Sequence, residues 1–184
     1  MSRLLRGIIA AAVVLLVIAG FWQWRGYSAK KELRDNALLY FKEQDYSKTI
    51  QYLEEALNRH SLLAGSLDHD MTCYLAESYY QLADYEKAEE IYDSLIAADP
   101  GESRYYQLKG RCAREAGDYE RAMEIYKQGW EKTEDSLFLK DICDIYLEQE
   151  DYENALAFTE QGYCGLFPDD ENAQKEMTFL STRI

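Results

Sequence analysis

The stretch GRCAREAGDYERAMEIYKQG, Gly110 to Gly129, decides the fold. It holds a small residue, a helical run, an Asp-Tyr turn and a second helical run that ends on another small residue. The phrase recurs as Asp45-Tyr46, Asp84-Tyr85, Asp118-Tyr119 and Asp151-Tyr152, in steps of 39, 34 and 33 residues. Three residues after each Tyr stand Thr49, Ala88, Ala122 and Ala155. A period near 34 with two helices per period marks a solenoid, whose units bury their apolar faces only by stacking on one another.

The flanking positions obey the same period. Nine residues before each Tyr come Ala37, Ala76, Gly110 and Cys143, and ten after it come Ala56, Leu95, Gly129 and Gly162. Small side chains there let two helices cross closely, with Tyr40, Tyr79 and Tyr146 filling the space beside the crossing. Each Asp is placed to cap a second helix, and Glu86, Glu120 and Glu153 sit in first turns, where the helix dipole favours negative charge. Gly117 suits the end of the preceding helix, and Pro100 follows a helix that must stop.

At these residues the chain resembles the tetratricopeptide repeat family over about residues 30 to 168, most strongly from Tyr74 to Pro100 and from Leu108 to Gly129. The departures are Thr49 and Leu95 in place of small residues, Ala113 in place of Tyr, and a lengthened first copy from His60 to Asp70. The resemblance implies an all-α, right-handed superhelical solenoid of four units, about 30–61, 69–102, 103–135 and 136–168, whose concave groove takes a protein or peptide. A capping helix is expected over 169–184, where Ala173, Met177 and Leu180 form one apolar stripe.

Helical spacing puts Asp70, Cys73, Glu77, Tyr80 and Gln81 on one face of the second unit's first helix, the face that lines the groove in tetratricopeptide-like proteins. The corresponding face of the third unit carries Arg104, Gln107, Arg111, Arg114 and Glu115, and that of the fourth carries Leu137, Lys140, Asp144, Leu147 and Glu148. The candidate partner-binding residues are Glu77, Tyr80, Gln81, Arg104, Gln107, Arg111, Arg114, Lys140 and Asp144. Three arginines on one helix face suit a carboxylate-bearing segment; the plainer reading is that they pair with nearby Asp and Glu and keep the groove soluble. One tetratricopeptide subclass grips the acidic C-terminus of chaperones with Lys, Arg and Asn. Arg34 and Lys42 are present here, but Leu38 and Glu77 stand where that subclass has Asn, so its clamp does not carry over.

The N-terminus is a different material. Gly7 to Trp24 contains Gln23 as its only strongly polar side chain and spans about 27 Å as a helix, with Trp22, Trp24 and Tyr27 as an interfacial belt. It reads as an uncleaved single-pass anchor over residues 1–29. The main rival is a cleaved signal peptide, whose best small-x-small site, Val17-Ile18-Ala19, falls inside the apolar run, and the third reading is a merely buried helix. The basic tail with Arg3 and Arg6 is how a signal-anchor begins, which places the repeats outside the cytoplasm; a plain count of basic residues, with Arg25, Lys30, Lys31 and Arg34 beyond the span, favours the opposite orientation.

Charge narrows the partners. The net charge is -14, and because residues 1–35 hold six Lys/Arg and two Asp/Glu, the rest carries 14 basic against 32 acidic residues, net -18. Nucleic acid is not expected on such a surface. Cys73, Cys112, Cys143 and Cys164 lack metal-finger spacing and read as unpaired thiols. His60 and His69, in the lengthened connection, are the only histidines, and no nucleophile-base grouping or phosphate loop is legible. The expectation is a non-enzymatic, cofactor-free, membrane-tethered scaffold. The alternatives are a self-associating assembly factor and, from another class, a small enzyme or metal-binding protein built around the two histidines.

Overall fold

The computed structural model describes residues 3–166, 168–169 and 171–183; the side chains of Arg3 and Arg6, and Asp170 at the head of the expected cap, lie outside the described residues. The chain divides into two compact units, residues 1–84 and 85–184.

In the first unit α1 (Arg3–Lys42) is one unbroken helix of 40 residues, followed by α2 (Tyr46–Leu57) and α3 (Gly65–Gln81). The apolar run and the first repeat helix, distinct in composition, are thus a single rod. No Pro or helix-ending motif intervenes, and Ala29 to Glu32 are good helix formers. α1 packs on α2 and α3, and α2 packs on α3. Ala37, Leu53, Ala56, Met71 and Ala76 are fully buried among them. Thr49 is buried too, and its hydroxyl donates to the Asp45 carbonyl at 3.0 Å, which satisfies the polar group that replaces the expected alanine.

The lengthened connection is shorter than its sequence suggests. Irregular chain runs only from Asn58 to Ala64, and Gly65 to Asp70 add turns to the front of α3. His69 therefore stands on a helix, its Nε2 3.9 Å from Cys73 Sγ one turn on.

The second unit contains α4 (Tyr85–Ala98), α5 (Ser103–Glu115), α6 (Tyr119–Thr133), α7 (Leu137–Glu148) and α8 (Tyr152–Phe158). The path widens into a π-turn over Thr159–Tyr163, then continues as α9 (Cys164–Leu166) and α10 (Glu171–Ser181). Tyr106, Ala113, Ala122, Ile125, Tyr126, Phe138, Ile142 and Ile145 form the central core. α10 packs on α8 and the π-turn, and Ala173 joins Leu139 and Tyr163 in a smaller cluster.

One turn design is used four times. Gln44, Ala83, Gly117 and Glu150, each just before the repeated Asp, adopt positive φ of 62°, 59°, 82° and 56°. The next amide reaches five residues back, from Asp45 to Tyr40, Asp84 to Tyr79, Asp118 to Ala113 and Asp151 to Tyr146, which closes the last turn of each first helix with the Schellman hydrogen bond. The carboxylates of Asp45, Asp118 and Asp151 then accept from the amides of Lys48, Arg121 and Asn154 and start the second helices.

Candidate partner-binding faces

In the second unit the decisive packing is under α5. A Cβ on Gly110 would lie 2.2 Å from the Tyr126 ring, so the ring occupies the place of the missing side chain. That seat carries the Tyr126 hydroxyl through the core toward the polar face of α5 and α7. Burial, and next the Asp141 carboxylate, hold its phenol well above the ordinary value, while Arg114 and Arg111 pull the other way.

The charged side chains of α5 and α7 are largely paired with one another. Arg114 Nε donates to Glu148 Oε2 at 3.0 Å and its Nη2 to Oε1, a two-pronged pair across 34 residues. Lys140 Nζ donates to Asp144 Oδ2 at 2.6 Å. Asp141 is pushed up to about 6, first by burial and then by Asp144, with Lys140 and Arg114 opposing. Arg111 is half-buried with its Nε enclosed, Gln107 is half-buried, and Arg104 is exposed at the start of the helix.

In the first unit the predicted face is also networked. Asp70 accepts from Arg34, Nε at 2.7 Å and Nη2 at 2.6 Å, and Gln81 Nε2 donates to Glu77 Oε1 at 2.7 Å. Tyr80 lies half-buried between them in sequence. Tyr79, on the packing side, donates to Glu54 at 2.6 Å, and burial with that bond pushes its phenol up to about 12.

Arg114 pairs with an acidic neighbour, Glu148, which helical spacing puts on the corresponding face of the next unit's first helix without pairing the two. Asp141 on α7, and Tyr126 buried on α6 beneath Arg114 and Arg111, are charged and polar neighbours of this face that sequence reasoning missed. Tyr126 reads as a core residue, and the only signal for it was Gly110 opposite. On the neighbouring α4, Asp93 holds Lys109 at 2.6 Å, whereas Glu86 and Glu90 are exposed. Among the described residues no three His, Cys, Asp or Glu side chains meet as a metal site.

Residues 40–112 match the tetratricopeptide repeat family, and residues 81–162 match anaphase-promoting complex, cyclosome, subunit 3. No curated protein matches the chain. Among solved structures it is similar to MamA 41-end from Desulfovibrio magneticus RS-1, at 13% identity and TM-score 0.58 over 77% of this chain and 78% of that one. It is similar to a tetratricopeptide repeat protein from Parabacteroides merdae, at 15% identity and TM-score 0.64 over 85% and 60% of the two chains. The Sgt2 TPR domain from Aspergillus fumigatus aligns at 20% identity and TM-score 0.52 over 68% and 82%. At these identities the likeness speaks to fold alone.

Proposed function

We propose that this tetratricopeptide repeat protein is a membrane-tethered adaptor that holds a partner's acidic or C-terminal segment against α5 and α7. The all-α repeat fold is a protein-protein interaction scaffold; the tether and the recognised segment are the further steps. The tether is supported by exposure. Val13, Val14, Leu15, Leu16, Val17 and Ile18 are 48–72% exposed along a stretch of α1 that no other described element covers, an apolar surface that a bilayer would remove from water. In this reading the chain crosses the cell membrane once, with the repeats outside the cytoplasm.

The observation that carries the binding site is the Arg114–Glu148 pair. A carboxylate held by a two-pronged arginine is what an incoming acidic segment would imitate, and with Arg104 exposed on the same helix the segment has a second cation to meet. Glu148 acts in this reading as a resident competitor. The test is photo-crosslinking from position 104 in native membranes, followed by capture with variants. Reversing Arg104, Arg111 and Arg114 to Glu is expected to abolish capture, reversing Glu86 and Glu90 to leave it, and Glu148→Gln to increase it. Undiminished capture by the arginine variant rejects this site.

A specific feature favours self-association as the second reading. Phe179 on α10 is 44% exposed and lines an open groove with Pro168, Lys175 and Thr182. Phe179→Asp would then lower the oligomeric mass in light scattering.

A further inference from the structure

We propose that the connection between α2 and α3 is a second membrane contact, with Leu62 and Leu63 entering the lipid interface beside Trp22 and Trp24. This rests on the anchor reading and adds to it a point of attachment far away in sequence.

The connection is held along α1 at successive levels. Leu62 N donates to Gln23 Oε1 at 3.0 Å. A Cβ on Gly26 would stand 3.4 Å from the His60 carbonyl oxygen, so the chain runs close along that side of the helix. Further down the rod Lys30, almost fully buried, pairs with Asp68, and Arg34 pairs with Asp70. Residue 62 is therefore fixed at the level of residue 23, where the apolar run ends and the tryptophans begin.

At that level the leucines turn outward. Leu62 is 89% exposed and Leu63 62%, while the adjoining Ala64 is fully buried. Trp22 and Trp24 are 67% and 61% exposed, the condition in which indole rings sit among headgroups. Lipid contact also demands that backbone donors be satisfied internally. They are: Leu62 N by Gln23, Leu63 N by Ser61 Oγ at 3.4 Å, and Ala64 N by the Ser61 carbonyl at 3.3 Å. Gln23, the single strongly polar side chain of the run, gains a purpose as the holder of this loop.

The test uses the full chain in vesicles of phosphatidylcholine and phosphatidylglycerol. An environment-sensitive fluorescent amino acid is placed at position 62, at position 18 inside the apolar run, or at position 94, an exposed serine on α4. Quenching by aqueous iodide is compared with quenching by lipids carrying a nitroxide near the headgroup. Positions 62 and 18 are expected to be quenched by the lipid nitroxide and severalfold less than position 94 by iodide. Iodide access at 62 equal to that at 94, with 18 still in lipid, overturns the loop contact and leaves the anchor standing. Protection of 62 from both quenchers means that protein covers it, which also overturns the proposal. Iodide access at 18 removes the anchor and the loop contact together.

Discussion

The third and fourth repeats use the same two small-residue positions and fill them differently. On α6, a Cβ on Gly129 would lie 2.5 Å from the Phe138 ring and 2.9 Å from Tyr106 Cβ. Ten residues after the next repeated Tyr, Gly162 meets nothing nearer than Phe158 at 3.7 Å. Gly162 lies in the π-turn at Thr159–Tyr163, where the helix path widens, and Cys143 Sγ, at the fourth repeat's other small-residue position, lies 2.9 Å from Thr159 Oγ1. A glycine at a given repeat position is thus a requirement in one unit and an allowance in the next, and the neighbour decides which.

The largest expected effect breaks that contrast open. Gly110→Leu collides with the Tyr126 ring and should cost about 3 kcal/mol or more, a fall of roughly 6–12 °C in melting temperature for a chain of this size. Gly162→Ala should change stability by less than about 0.5 kcal/mol, as should Glu124→Leu on an exposed turn of α6. Melting followed by circular dichroism in detergent measures all three. Equal losses for Gly110→Leu and Glu124→Leu would mean that no close crossing depends on Gly110.

A second comparison lies between carboxylates on one helix. Asp144 has Lys140 at 2.6 Å, whereas Asp141, one position from Lys140 and partly enclosed, is raised from 3.8 to about 6. The folded state therefore binds this proton more tightly than the unfolded chain, and ionisation costs stability. The cost is absent below about pH 4 and develops as pH rises through about 6. Asp141→Asn should accordingly be more stable than the parent by about 1 kcal/mol at pH 8, with the difference closing near pH 4. A difference that instead widens on acidification would reverse the assigned sign.

What was legible in the sequence is what depends on local periodicity. The Asp caps, the two helices per unit and the buried small residues follow from steps of 33 to 39 residues, and each has a local physical cause. Features that need a partner far along the chain were hidden. Arg114 and Glu148 were placed on adjacent faces, yet their pairing depends on how two helices seat, which spacing does not set. Tyr126 was hidden because ring orientation is decided by the hole at Gly110. The continuity of α1 was obscured by composition: an apolar segment and an amphipathic one differ in solvent preference, but backbone hydrogen bonding sees no boundary between them. The π-turn has no residue signature at all, since Thr159 to Tyr163 contains ordinary helix formers beside one glycine.

The smallest expected effect concerns the turns, where the four repeats share one geometry but not one residue. Only the third uses glycine, Gly117; the others place Gln44, Ala83 and Glu150 at left-handed φ, where a Cβ crowds the following carbonyl at a cost of about 1 kcal/mol or somewhat more. Glycine removes that crowding but enlarges the unfolded ensemble, so the net gain is smaller than the strain. Ala83→Gly should therefore gain about 0.5 kcal/mol and Gly117→Ala should lose about 1 kcal/mol, shifts of roughly 1–2 °C and 2–4 °C in opposite directions. Because Gln44 and Glu150 belong to separate compact units and share no partner among the described contacts, Gln44→Gly and Glu150→Gly together should give close to the sum of their single gains. Destabilisation by Ala83→Gly would show that its side chain contributes more to the turn than its backbone strain removes.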